Sequence, residues 1–221
     1  MLTAADGSRY MVYLPKTWAA KSAAVHHPVL LFLHGRGGVK SEANIRGQSL
    51  TKMLLESDPQ LFGPWSDRDG FPFIVLIPMA GQPDWQTQFP SLLSLVAMAH
   101  NELHGDPART YLTGQSMGGN GAWHLAASAT PGVFAALAPV CGYLEIAPAP
   151  KKKKKKKGAA PEPQPPQLPI PEPNAEVLAS LINSSIPIWA FHAAYADFLA
   201  CCSLKNSDDH GIYPALCCVF H

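Results

Sequence analysis

Thr110-Tyr111-Leu112-Thr113-Gly114-Gln115-Ser116-Met117-Gly118-Gly119-Asn120-Gly121-Ala122-Trp123 carries an apolar run through Gly-x-Ser-x-Gly and into a helix-compatible segment. The order predicts strand, tight turn and helix, with Ser116 at the tip of the turn on strained backbone. Its hydroxyl would stand exposed at the end of a central strand, the setting of a nucleophile elbow. Gly114 and Gly118 flank the serine where a Cβ would clash as strand and helix fold back on each other. Gly-x-Ser-x-Gly by itself recurs by chance in loops. The strand before it and the helix after it give it weight.

A second segment agrees with the first. Pro28-Val29-Leu30-Leu31-Phe32-Leu33 is continuously apolar, as expected of a strand buried on both faces of a parallel sheet. It ends in His34-Gly35-Arg36-Gly37-Gly38, where a strand of this kind can supply backbone N–H groups to an oxyanion. Met117, directly after the serine, would give one donor, and Arg36 or Gly37 the other. His34 is assigned a structural role, because the histidine of a catalytic triad in this arrangement comes late in the chain.

Further strand-like runs lie at Tyr10–Leu14, Phe73–Ile77, Ala135–Cys141 and Ile186–Phe191, with helical patterns between. Leu92, Leu95, Val96, Ala99 and Leu103 follow helical spacing while Asn101 and Glu102 face away. Met117–Ser128 continues the elbow as a helix, and Asn174 is an N-cap candidate for 174–183. Alternating strands and helices predict an α/β architecture, a mostly parallel central sheet flanked by helices. Trp85 is placed near the expected mouth of the site.

With these residues in hand, the chain resembles the carboxylesterase and predicted-peptidase branch of the α/β-hydrolases, near feruloyl-esterase-like and phospholipase/carboxylesterase-like proteins. The likeness rests on Tyr10–Pro15, the turn after Leu33, Phe73–Pro78, Asp106–Gly114, Ser116–Trp123, Phe134–Gly142 and Ile186–His192. It runs in register over about 1–146 and 174–197. The resemblance implies hydrolysis of a small-molecule carboxylic ester through an acyl-enzyme on Ser116, with no cofactor. A serine peptidase of the same fold is the alternative enzyme. A hydrolase-like binding protein without a working triad is the alternative that is not an enzyme.

The chain of 221 residues suits one sizeable core. Its net charge of +1 conceals a block of seven lysines, Lys151–Lys157; without it, ten basic residues face sixteen acidic ones. That balance argues against a nucleic-acid partner. Cys141, Cys201, Cys202, Cys217 and Cys218 form neither a disulfide framework nor a zinc spacing, so no metal is expected. No apolar run reaches the length of a membrane span, and no signal peptide opens the sequence, which reads as cytoplasmic. Residues 147–173 hold the lysine block and nine prolines and almost no large apolar side chain. They divide the domain into 1–146 and 174–221 as a low-complexity insertion expected to be disordered.

The resemblance also implies an acid and then a histidine after the serine. His192-Ala193-Ala194-Tyr195-Ala196-Asp197 stands where the family has His-Gly-x-x-Asp, with the glycine replaced and the aspartate one position late. Asp197 is the acid candidate. Only 24 residues follow it, and none shows the family's Gly-His-Asp pattern. A helix of about 11 residues, a strand of about 5 and two connections of about 5 would use nearly all of them. His210 and His221 are weak candidates for the general base, and 198–221 reads as a divergent tail that leaves the fold incomplete at its C-terminal end. Limited proteolysis is expected to cut first within 151–170 and leave the two flanks associated. Resistance there with cutting elsewhere would contradict the insertion.

Overall fold

The computed structural model describes residues 1–18, 26–39, 41–57, 63–65, 70–82, 84–142, 174–193 and 215–220. The predicted insertion at 147–173 and the site candidates Asp197, His210 and His221 lie outside them.

Among the described residues the strands are β1 (Leu2–Thr3), β2 (Arg9–Tyr13), β3 (His27–Leu33), β4 (Ile74–Pro78), β5 (Gly105–Gln115), β6 (Ala136–Val140), β7 (Ile188–Ala193) and β8 (Ala215–Phe220). They form one sheet in the order β1-β2-β4-β3-β5-β6-β7-β8. The run from β4 to β7 is parallel throughout. The edges are antiparallel, β2 against β4 on one side and β8 against β7 on the other. The predicted α/β architecture with a mostly parallel sheet is the observed one.

Five α-helices accompany the described strands: α1 (Glu42–Arg46), α2 (Ser49–Glu56), α3 (Phe89–Glu102), α4 (Met117–Ser128) and α5 (Ala175–Ser184). Strand β4, Ile-Val-Leu-Ile-Pro, is buried along its whole length, yet its side chains still alternate. Ile74 and Leu76 join the core with Leu31, Leu112, Leu125 and Leu137, into which α3 sends Leu92, Leu95, Val96 and Ala99 and α5 sends Leu181. Val75 and Ile77 join the opposite core with Phe32, Ile45 of α1 and Leu54 of α2. An apolar run with no polar alternation is what a strand with cores on both faces requires.

The ends of the elements have local causes. Asn174 caps α5, its Oδ1 accepting from the N–H groups of Glu176 and Val177 at 3.1 and 3.3 Å. Ser180 Oγ on the same helix donates to Ala127 O at 2.6 Å and ties α5 to α4. Helix α1 begins at Ser41, whose Oγ accepts from Asn44 N, and carries a Glu42–Arg46 pair one turn apart. On β7, Ile188 and Ala190 pack on the core below α5. Trp189 and Phe191, on the other face, remain 42% and 37% exposed.

Leu31→Ala removes a fully buried side chain from the middle of β3. Urea denaturation is expected to show a loss of about 2–5 kcal/mol. Asn174→Ala, which removes only a cap, is expected to cost about 1 kcal/mol.

Candidate active site

Strand β5 ends at Gln115 and α4 begins at Met117, so Ser116 alone makes the turn between them. Its backbone stands at φ 57°, ψ −115°, where a residue with a Cβ is strained by about 1–3 kcal/mol. Two hydrogen bonds hold it there. Ser116 N–H donates to Val140 O at the end of β6 at 2.8 Å, and Asn120 N–H donates to Ser116 O at 2.9 Å. The residue thus keeps one bond to the sheet while already accepting the first bond of the helix. Its side chain is half-buried.

The glycines beside it are demanded by contact. A Cβ on Gly118 would run into the carbonyl oxygen of Leu33, and one on Gly114 into the carbonyl of Gly118. The opening of α4 therefore lies directly on the end of β3, which brings the two motifs together. A Cβ on Gly35 would sit 3.7 Å from Ser116 Cβ and 3.3 Å from Gln115 O.

After β3 the chain forms a 3-10 turn over Arg36–Gly38. Gly35 is buried, whereas Arg36 and Gly37 are exposed. Arg36 and Gly37 open this turn and Met117 opens α4, so the three N–H groups expected from the sequence as donors each lie at the start of a turn, where no partner within that turn is available.

His34 holds this turn from below and is fully buried. Its Nε2 lies 3.0 Å from Ala80 N and its Nδ1 lies 2.7 Å from Gly35 O. A backbone N–H can only donate and a carbonyl can only accept, so Nε2 is bare and the proton sits on Nδ1. Both ring nitrogens are thereby committed to backbone, in keeping with the structural role expected from the sequence. Burial lowers the imidazole's pKa from its ordinary 6.5, against the raising effect of the Gly35 hydrogen bond.

The expected position of Trp85 is corrected. It is 1% exposed, donates Nε1–H to His34 O at 3.1 Å and meets the His34 ring edge-on at 4.9 Å. The residue is part of the core that supports the turn and does not line a mouth. Sequence reasoning also missed Gln48. This residue sits half-buried at the start of α2, and its Oε1 accepts from Gly35 N–H at 3.1 Å. No local signal in the sequence marks it, because the turn that it meets lies 13 residues earlier.

The late site candidates stay outside the described residues, but the sheet fixes where their segment attaches. Val140 pairs with Phe191, so the C-terminal end of β7 lies on the same edge as Ser116. The chain leaves the sheet at Ala193 on that edge and returns to it at Ala215, because these two residues pair. Asp197 and His210 belong to that connection. Phe220, the residue before His221, pairs with Ile188 at the opposite end of β7.

The fold has solved counterparts. A thermostable esterase superposes with a TM-score of 0.50 at 21% identity, over 85% of this chain and 43% of its own. A structure described only as FAE gives 0.50 at 14% identity, over 86% of this chain and 68% of its own. The chain has the α/β-hydrolase fold. It spans about half the length of the first structures that it matches. No protein-family model matches the sequence, and no curated protein does. Within the described part of this α/β-hydrolase fold, no helix is long and apolar enough to cross a membrane.

The neutral His34 gives the fold a pH dependence of definite sign. A histidine with a lowered folded pKa adds stability that is full above its ordinary 6.5 and is lost as pH falls through the folded value. His100, also lowered by burial against the raising charge of Asp106, acts in the same direction. Urea midpoints are expected to fall from about pH 7.5 to about pH 5.5, before most carboxylates titrate. His34→Gln should flatten that slope. An unchanged slope would show that His34 does not carry it.

Proposed function

We propose that this chain carries an acyl-transfer site for carboxylic esters, with Ser116 as nucleophile at a nucleophile elbow. The observation that carries the reading is the φ 57°, ψ −115° backbone of Ser116 between β5 and α4, directly against the glycine turn after β3. In the proposed reaction Ser116 Oγ attacks the ester carbonyl carbon and gives its proton to a general base. The carbonyl oxygen becomes an oxyanion, held by the N–H of Met117 and that of Arg36 or Gly37. Collapse expels the alcohol, which takes the proton back, and water then releases the acyl group from Ser116.

The fold is shared with a structure described as a thermostable esterase, which supports the choice of ester over peptide. The turn of β8 adds a preference for the base. Its antiparallel course leads the chain toward His221 away from the serine, whereas the connection holding Asp197 and His210 starts and ends on the serine's edge. We therefore assign His210 as base and Asp197 as the acid that orients it. Without a base a serine hydroxyl is a weak nucleophile, and loss of the triad histidine costs on the order of 10⁶ in kcat. A domain lacking it would be an acyl-binding protein.

A fluorophosphonate probe tests the site, because it labels a serine that a base has activated. Labelling is expected to vanish in Ser116→Ala and His210→Ala and to persist in His221→Ala. Loss in His221→Ala alone would reverse the assignment of the base, and no labelling of the parent chain would favour the binding protein. Short p-nitrophenyl esters should be cleaved faster than peptide anilides. The reverse order would favour the peptidase.

A further inference from the structure

Gln48 occupies the N-cap position of α2 yet makes no side-chain bond to the helix it begins. Its side chain turns instead to the glycine turn after β3. Oε1 accepts from Gly35 N–H at 3.1 Å, and a Cβ on Gly37 would sit 2.5 Å from its Nε2. The opposite side of the same residue is held as well, since Gly35 O lies 2.7 Å from His34 Nδ1 and 3.0 Å from Gly38 N. Gly35 is therefore clamped at both its N–H and its C=O. It lies beside Ser116, since a Cβ on it would sit 3.7 Å from Ser116 Cβ, and its carbonyl shares one planar peptide unit with the N–H of Arg36.

We propose that Gln48 is a positioning residue for the anion-binding turn: by fixing Gly35 it aims the Arg36 and Gly37 N–H groups at an oxygen bonded to the carbon that Ser116 attacks. This rests on the Ser116 reading above. Aim matters at such a site because donors act on the tetrahedral oxyanion and far less on the planar carbonyl. Gln48 should accordingly affect binding of a tetrahedral anion and leave binding of a planar neutral molecule alone.

Phenylboronic acid is the probe. The lone pair of Ser116 Oγ forms a bond to boron, the hydroxyl proton leaves to solvent, and the adduct is a tetrahedral anion. Benzamide serves as the planar neutral comparison. Affinities are read by tryptophan fluorescence for the parent chain, Ser116→Ala, Gln48→Met and Gln48→Ala, with thermal midpoints alongside. Gln48→Met keeps the volume and loses the acceptor. Both Gln48 variants are expected to weaken phenylboronic acid by about tenfold or more while benzamide affinity holds. Amide exchange at Gly35 should also quicken in both.

Equal loss of both ligands would show Gln48 to be merely structural and overturn the proposal. Unchanged phenylboronic acid affinity in Gln48→Met, with binding abolished in Ser116→Ala, would overturn it while leaving the Ser116 reading intact. Failure of the parent chain to bind phenylboronic acid, or equal binding by Ser116→Ala, would overturn the Ser116 reading and the role of Gln48 with it. A Gln48 variant that does not fold would likewise mark the residue as structural.

Discussion

Helix α4 leaves β5 at its sharp angle because Gly118 lets the helix backbone rest against the carbonyl oxygens of Leu33 and His34. Any side chain at that position would push the helix off the sheet. The contact joins three things that the sequence keeps far apart: the end of β3, the end of β5 and the first turn of α4. Ser116 inherits its geometry from it. With the helix pinned to β3 and the strand hydrogen-bonded to β6, one residue is left to reverse the chain, and positive φ is how it does so. The strain of about 1–3 kcal/mol is stored at that one residue.

A second set of contacts keeps the glycine turn from collapsing. Turns rich in glycine gain flexibility from the residue that makes them possible, so their direction has to be set from outside. Here His34 and Gln48 hold Gly35 from opposite sides, while Trp85 holds the carbonyl of His34. Each such bond contributes about 0.5–1.5 kcal/mol net. Breaking one inside the core would cost more, because the buried partner has no water to turn to. His34 is neutral for the same reason. A proton on Nε2 would face the Ala80 N–H and be left buried without an acceptor.

Beyond β7 the sheet turns antiparallel. A parallel last strand would bring the chain back to the serine's edge only after it had crossed the sheet. The antiparallel β8 instead starts at that edge, where Ala215 pairs with Ala193.

How much of this was legible in the sequence depends on how local each cause is. Strand β3 announced itself as an unbroken apolar run and the other parallel strands as shorter strand-like ones, α3 as a helical stripe, and the cap of α5 as an Asn after prolines. The turn at Ser116 was readable because its glycines lie within two residues of the serine. Helices α1 and α2 escaped notice: five and eight residues are too few for periodicity to speak, and only Ser41 and the Glu42–Arg46 pair mark the first. Trp85 was misplaced because an indole suits a ligand mouth as well as a core, and its partner His34 is 51 residues away. Separation along the chain also hid the tautomer of His34, which Ala80 decides from 46 residues on, and the bond from Gly35 to Gln48, 13 residues on. The sequence by itself determined which segments are strands, how the two faces of the sheet are divided, and where the chain reverses at Ser116, since these follow from patterns a few residues long. Only the tertiary structure decided what clamps the glycine turn, which way β8 runs and which residues face one another across the site, because each of those depends on groups that meet through space after the sheet has formed.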